Sequence, residues 1–228
     1  MGIEDVEKYL KDNHFSKKTY RELSANSRED KESLVKSDKQ AAYDFDEIAE
    51  YIFPQNTPRS ADAILFEKDQ KIIFIEFKGG FNRKISEQNF DPEKCRCPKT
   101  DEVCEDYAKV MKSNLKNINR ELKANLLQKA VESRWILEHH LLPEVYKDGV
   151  YPEFRTDYII VTDKVHDNPI DAMEEIMNET AQIHNKDNFY QKMNDSVKRL
   201  YCESRFGKKS TYNSVEVWSV QDFEQKIS

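Results

Sequence analysis

Two apolar segments joined by a short polar turn, residues 60–66 and 71–80, constrain the fold of this chain most strongly. The first reads Ser-Ala-Asp-Ala-Ile-Leu-Phe and the second Lys-Ile-Ile-Phe-Ile-Glu-Phe-Lys-Gly-Gly. Apolar, β-rich segments bounded by polar turn residues predict the two strands of a β-hairpin. The second strand is almost wholly apolar, yet it carries Glu76 near its end. Because a buried charge is costly unless it is paired or binds a metal, this strand end is expected to form a site.

The geometry of a hairpin decides whether its charged residues can meet. Side chains alternate between the two faces of a strand, so Glu76 and Lys78 share one face. Asp62 lies across from Glu76 only if Ile64 pairs with Phe74, and this register requires an odd-length connection or a bulge. A slip of one residue would move Asp62 to the opposite face.

The tripeptide that closes the second strand gains its meaning from its context. An acidic residue, any residue and then Lys occur five times in the sequence, but only Glu76–Lys78 ends an apolar strand. Ser60-Ala61-Asp62 followed by Glu76-Phe77-Lys78 resembles the PD-(D/E)XK nuclease superfamily, which has the restriction-endonuclease-like fold. The Pro that often precedes the Asp in that superfamily is missing here. The resemblance covers roughly residues 40–163.

The resemblance implies a role for each residue of the motif. Asp62, Glu76 and the backbone carbonyl of Phe77 would hold Mg²⁺ or Mn²⁺, which prefer oxygen ligands and polarise a phosphodiester. Lys78 would orient the attacking water or stabilise the charge that develops on the phosphate. The plainer alternative is a salt bridge from Lys78 to Glu76 or Asp62 at the end of the strand.

Members of the superfamily often add an acidic residue from the helix that precedes the Asp strand. Residues 40–52 are similar to that helix, and the resemblance implies Glu47 or Glu50 as a further catalytic acid, with Asp46 behind them. The choice among these acids stays open at this point.

The remaining patterns predict an α/β fold with a mixed central β-sheet and helices on both faces. A helical apolar stripe runs from Tyr107 to Ala130, and strands are expected over 156–162 and 214–220. Two further helices are predicted near 168–177 and 188–206, and Ser219 with Asp222 forms a capping box for a closing helix. Residues 1–39 are predicted to be a charged, partly helical N-terminal extension, and residues 40–228 the nuclease-like domain.

The charge of the chain limits how it binds nucleic acid. The formal net charge is −7, which argues against a broadly basic surface, so binding depends on local basic groups. The groups expected to contact phosphates are Arg83, Lys84, Lys198, Arg199, Arg205, Lys208 and Lys209. No apolar run is long enough for a membrane span, so a cytoplasmic protein without membrane contact is expected.

The cysteines offer only weak support for a second metal. Cys95, Cys97 and Cys104 cluster, and Cys202 lies far away in the sequence. Structural zinc sites usually contain two spaced pairs, so zinc is not expected, and reduced thiols are the favoured reading.

Together these features predict a metal-dependent nuclease that hydrolyses phosphodiester bonds. DNA is favoured over RNA, in a defence, restriction or repair role, because the superfamily acts mostly on DNA. One alternative is a catalytically inactive module of the same fold that binds nucleic acid or protein. Another is an interaction or regulatory protein, and a homodimer or a partner protein is a further expectation.

Overall fold

A computed structural model describes residues 2–25, 33–38, 40–79, 124–162 and 211–227, and its centre is a six-stranded mixed sheet. The strands lie side by side in sequence order. Each neighbouring pair among the first four strands is antiparallel, whereas the fifth strand runs parallel to the fourth and the sixth runs parallel to the fifth. They are β1 (Lys17–Thr19), β2 (Gln40–Asp44), β3 (Ala63–Glu67), β4 (Lys71–Lys78), β5 (Arg155–Thr162) and β6 (Ser214–Ser219).

Helices cover both faces of this sheet, as the sequence predicts for an α/β fold. They are α1 (Glu4–Asp12), α2 (Tyr20–Leu23), α3 (Phe45–Ile52), α4 (residues 124–136, continuing through a π-helical turn at Leu137–Leu141 into Leu142–Val145) and α5 (Val220–Lys226). Buried side chains of α1, α3 and α4 form one core layer with Phe74 and Tyr158 of the sheet. Tyr20 of α2 and Phe223 of α5 form the second layer on the opposite face. Within these described ranges, no helix is both long and apolar enough to cross a bilayer.

The β3–β4 hairpin has the register that the sequence requires for a shared site. Ile64 pairs with Phe74, and Glu67 pairs with Lys71. The connection is therefore the three residues 68–70, an odd number, and Gln70 has φ of 52°. A residue in the left-handed region is typical of the last position of a three-residue hairpin loop. The same register, continued by one residue, places Asp62 across from Glu76.

The strands and helix predicted near the end of the chain are confirmed. β5 and β6 cover the two expected strands, and α5 begins at the expected capping box. The Asp222 N–H donates to Ser219 Oγ over 3.1 Å, and the Ser219 N–H donates to the Asp222 carboxylate. The helices predicted near 168–177 and 188–206 lie outside the described residues.

The N-terminal residues are part of the fold, which corrects the predicted extension over 1–39. The amphipathic helix itself is confirmed as α1, but Ile3, Val6 and Leu10 are at most 1% exposed and belong to the main core. β1 then pairs with β2 and forms the edge of the sheet. β1 has only three residues, so its sequence carries little strand periodicity and its place depends on the partner strand.

The segment over 40–52 is also different from the single helix that the sequence predicts. It consists of strand β2 followed by α3. Asp44 separates the two because its side chain accepts a hydrogen bond from the Glu47 N–H over 3.0 Å and caps the helix. The helix therefore begins at Phe45, which changes the acidic side chains that can reach the site.

Candidate active site

Asp62 and Glu76 converge at the carboxyl end of β4. Asp62 directly precedes β3, and Glu76 lies on the face of β4 that also carries Ile72 and Phe74. The backbone N–H of Phe77 donates to Asp62 Oδ2 over 2.5 Å, and the Phe45 N–H donates to the Asp62 carbonyl over 3.2 Å. The Asp62 carboxylate is therefore fixed to the end of β4, and its backbone is fixed to the start of α3.

A lysine from α4 joins the two carboxylates. Lys129 Nζ donates to Asp62 Oδ1 over 2.9 Å and to Glu76 Oε2 over 2.8 Å. The Glu76 side chain is only 1% exposed, whereas those of Asp62 and Lys129 are 18% and 22% exposed. One ammonium group thus bridges a buried and a partly exposed carboxylate.

Two hydrogen bonds from other parts of the chain hold helix α4 in place within the turn that follows Lys129. The buried Ser133 Oγ, four residues along, accepts a hydrogen bond from the Ala61 N–H over 2.8 Å. Tyr212 OH donates to the Ala130 carbonyl over 2.5 Å. Because Ala61 is the neighbour of Asp62, the first contact links the lysine-bearing helix directly to the residue that the lysine binds.

The surroundings of this trio favour the protonated form of Glu76. Burial, followed by the charge of Asp62, raises the pKa of Glu76 to about 8, although Lys129 and Lys78 oppose the shift. Burial would lower the pKa of Lys129, but the charges of Glu76 and Asp62 outweigh it and raise the pKa above its ordinary value. A protonated Glu76 beside a charged Lys129 avoids a second buried negative charge, which suits a site of this kind.

Asp46 is the acid that α3 contributes near the site. The residue is exposed, but its carboxylate accepts a hydrogen bond from the hydroxyl of Ser60, which is 2% exposed. Although the residue as a whole is exposed, the protein around its carboxylate partly desolvates this group and raises the pKa of Asp46 to about 6, with the charge of Asp62 contributing and Ser60 and Lys129 opposing. Asp46 is therefore within electrostatic reach of Asp62 and Lys129.

Among the described contacts, the structure does not join the two helix acids expected to be catalytic, Glu47 and Glu50, to Asp62, Glu76 or Lys129. Glu47 binds Lys18 over 2.8 Å and is half exposed, and Glu50 is exposed. The start of α3 at Phe45 directs Asp46, and not these residues, to Ser60. The sequence places Asp46 behind both, and the start of α3 after the cap at Asp44 accounts for the difference.

Lys78 and Phe77 flank the site in different ways. Lys78 is partly exposed at the end of β4, and its charge lowers the pKa of Glu76, but Lys129 makes the direct contacts. The salt bridge from Lys78 that the sequence left as an alternative is therefore made by Lys129 instead. For Phe77, the backbone group that contacts Asp62 is the N–H.

Sequence reasoning did not find Lys129. It lies 53 residues from Glu76, and a lysine in an amphipathic helix normally indicates a solvent-facing surface. One sign was available, because Lys129 is three residues after Leu126 and directly before Ala130, both of which are buried. A charge at the edge of an apolar stripe lies at the boundary of the core, where it can reach a buried acid.

The other predicted site residues belong to parts of the chain that the structure does not describe. The basic residues Arg83, Lys84, Lys198, Arg199, Arg205, Lys208 and Lys209 lie outside the described residues, as do Cys95, Cys97, Cys104 and Cys202. Across the ranges that the structure describes, no group of three or more His, Cys, Asp or Glu side chains is arranged to hold a metal ion.

The residues present nevertheless fit a Mg²⁺-type ion in two respects. Mg²⁺ is bound through one or two carboxylates and keeps several waters, and here the ammonium of Lys129 stands between two carboxylates as a cation would. In addition, the hydroxyl of Tyr158 is fully buried and has no hydrogen-bond partner among the described residues, and it lies on the same face of the sheet as Glu76. A buried hydroxyl without a partner is a place where a bound water would gain a hydrogen bond.

The fold and the site together define an α/β protein with a paired acidic site at the carboxyl end of its central strand. Comparisons with protein-family models, with curated proteins and with solved structures found no match. The chemistry of Asp62, Glu76, Lys129 and Asp46 is therefore the basis for the function of the site.

Proposed function

We propose that this chain is a metal-dependent nuclease of the restriction-endonuclease-like type that hydrolyses phosphodiester bonds in DNA. The observation that supports it is the convergence of the Asp62 and Glu76 carboxylates at the end of β4, with Lys129 bridging them. Lys78 adds a second positive charge near Glu76. Paired carboxylates with adjacent lysines suit a polyanionic substrate whose charge must be neutralised as the bond breaks.

Different residues of the chain would bind the metal ion and the phosphate. Asp62 and Glu76 would hold the Mg²⁺ or Mn²⁺, with the Phe77 carbonyl and Asp46 as further oxygen donors. When bound, such an ion polarises the phosphodiester and lowers the pKa of a bound water. Lys78, at the partly exposed end of β4, would bind the phosphate, and the packing around Glu76 would keep bulk water away from the acids.

Metal-dependent cleavage is the direct test. Purified protein is incubated with plasmid, single-stranded DNA and RNA in Mg²⁺, Mn²⁺ or EDTA, and Glu76→Ala and Lys78→Ala are run beside it. We expect DNA cleavage that EDTA abolishes and that falls at least about a hundredfold in each variant, the range for loss of a group that stabilises the transition state. Cleavage that persists in both variants would contradict this site, and preferential cleavage of RNA would change the substrate.

Asp46 provides a sharper test within the same helix. We expect Asp46→Asn to reduce the cleavage rate by about tenfold or more, since Asp46 lies within electrostatic reach of Asp62. Glu47→Gln is the matched control, because Glu47 is one residue away and binds Lys18 instead. Rates are measured on a fluorescent duplex. Equal losses in the two variants would indicate a general charge effect and remove Asp46 from the site.

A catalytically inactive module of the same fold that binds nucleic acid or protein is the second candidate. The Lys129 bridge favours it, because this contact satisfies both carboxylates without a metal ion. Wild-type protein that binds DNA but cleaves no substrate in either metal would support this candidate over the nuclease.

A further inference from the structure

We propose that the ammonium group of Lys129 is an internal counter-ion, which occupies the cation position between Asp62 and Glu76 until a divalent ion displaces it. The inference rests on the proposed function, because it concerns the entry of metal into the same site. Lys129 is then a positioning residue that sets how readily the acidic pair accepts a metal.

The geometry of the bridge supports competition for one position. Lys129 Nζ contacts one oxygen of each carboxylate, at 2.9 Å from Asp62 and 2.8 Å from Glu76. A divalent ion held by both carboxylates would need the space between them. Two cations at such short separation in a poorly hydrated site repel strongly, so the ammonium and the metal exclude each other.

The lysine can leave while its helix stays in place. Leu126 and Ala130 are buried on the adjacent face of α4, and the Ser133 hydroxyl accepts a hydrogen bond from the Ala61 N–H. The backbone beside Lys129 is therefore fixed. The side chain itself is 22% exposed, and a flexible four-carbon stem carries its ammonium group. Rotation of this stem toward solvent would vacate the position between the acids without repacking the core.

The chain contains a matched control for this bridge. Lys71 also contacts two carboxylates, those of Glu67 at 3.2 Å and Asp157 at 3.4 Å. It begins β4, five residues before Glu76, and so lies about 17 Å from Glu76 along the strand at the usual rise per residue. Removal of either lysine changes the net charge of the protein equally, but only one removal opens the proposed site.

Metal affinity measured without substrate tests the proposal. Mn²⁺ binding to the full-length chain is followed by calorimetry for wild type, Lys129→Met and Lys71→Met, since Met keeps much of the apolar stem. We expect Lys129→Met to bind Mn²⁺ at least about tenfold more tightly, or about 1.4 kcal/mol, and Lys71→Met to stay within about twofold of wild type. A purely structural lysine would give unchanged or weaker binding on removal.

A measurement on wild-type protein covers the case in which Lys129→Met does not fold. Lysines are acetylated with limiting reagent, with and without Mg²⁺, and each site is quantified by mass spectrometry. Acetylation requires the neutral amine, and two neighbouring carboxylates favour the charged ammonium, so we expect labelling of Lys129 to rise about fivefold or more when Mg²⁺ is added. Labelling of Lys71 is expected to stay constant.

The outcomes separate this inference from the proposed nuclease function. Unchanged Mn²⁺ affinity in Lys129→Met, or unchanged labelling of Lys129 with Mg²⁺, would overturn the exchange, and metal-dependent cleavage by wild type would still support the nuclease. Equal tightening in Lys71→Met would also overturn it, because the effect would then be one of net charge. Absence of Mn²⁺ binding in all three proteins would overturn both proposals.

Discussion

Glu76 is the residue at which burial and charge conflict most directly. A carboxyl group that is 1% exposed loses nearly all of its hydration, and the ionised form bears that cost. Lys129 offsets part of the cost by direct contact, and a proton offsets the rest at neutral pH because burial raises the pKa to about 8. The strand therefore tolerates an acid that its apolar neighbours would otherwise exclude.

This conflict predicts how stability depends on pH. Between the unfolded pKa near 4.5 and the folded pKa near 8, the folded protein keeps a proton on Glu76 that the unfolded chain releases. The free energy of unfolding should therefore fall as pH rises through this window, by up to about 1.4 kcal/mol per pH unit. Glu76→Gln lacks this group, so its stability relative to wild type should increase from pH 5 to pH 8.

Urea denaturation in EDTA at several pH values measures this difference. EDTA removes divalent ions that would otherwise compete with the proton. A difference between Glu76→Gln and wild type that stays flat from pH 5 to pH 8 would mean that Glu76 is ionised throughout, with Lys129 as a sufficient partner.

At the scale of elements, the site depends on contact between the β3–β4 hairpin and α4. The hairpin supplies both acids, and α4 supplies the counter-charge. The two meet at the hydrogen bond from the Ala61 N–H to the buried Ser133 hydroxyl. Because Ala61 is also buried, the loss of this acceptor would leave a backbone donor without a partner.

The Ser133 contact can be tested by stability. We expect Ser133→Ala to lower the free energy of unfolding by about 1–3 kcal/mol, the cost of an unsatisfied buried donor. Gln128→Ala is the control on the same helix, since exposed Gln128 bonds only to its helix neighbour Glu132 among the contacts described here, and a change within about 0.5 kcal/mol is expected. Equal effects in urea denaturation would show that the Ser133 contact is not a specific link.

The elements also show which parts of the structure the sequence could predict. The hairpin register follows from local constraints, because face alternation and an odd-length connection leave one arrangement that joins Asp62 to Glu76. β5, β6 and the cap at Ser219 are likewise local patterns. Lys129 could not be assigned in the same way, since its role depends on a helix packing against strands that lie far away in the sequence.

For the whole molecule, the main lesson concerns the N-terminal residues. Their charge predicts a separate extension, but α1 contributes Ile3, Val6 and Leu10 to the core and β1 forms the edge strand. Gly2 also takes part, because its carbonyl accepts a hydrogen bond from Tyr146 OH over 2.6 Å. Because charged residues occupy the outer face of this short helix, its composition does not indicate how much of the inner face is buried.

A shortened chain tests whether this segment is essential. We expect residues 40–228 alone to lose cooperative unfolding, because burial of each large apolar side chain contributes about 1.5–3 kcal/mol and whole domains are stable by only about 5–15 kcal/mol.

In the full chain, Leu10→Ala should lower the free energy of unfolding by about 2–5 kcal/mol, while substitution of its exposed neighbour, Lys11→Ala, should lower it by less than about 0.5 kcal/mol. Thermal unfolding followed by circular dichroism distinguishes these cases. A shortened chain with the melting temperature of the full one would restore the predicted boundary.

The anchoring of α4 has a consequence for how such a protein can vary during evolution. The position of Lys129 is set by contacts at Ala130 and Ser133, and not by the number of residues between β4 and residue 124. Insertions or deletions in that interval need not move the lysine relative to the acids. Related chains could therefore differ greatly in length between the acidic pair and its counter-charge, so a search with fixed spacing would overlook them.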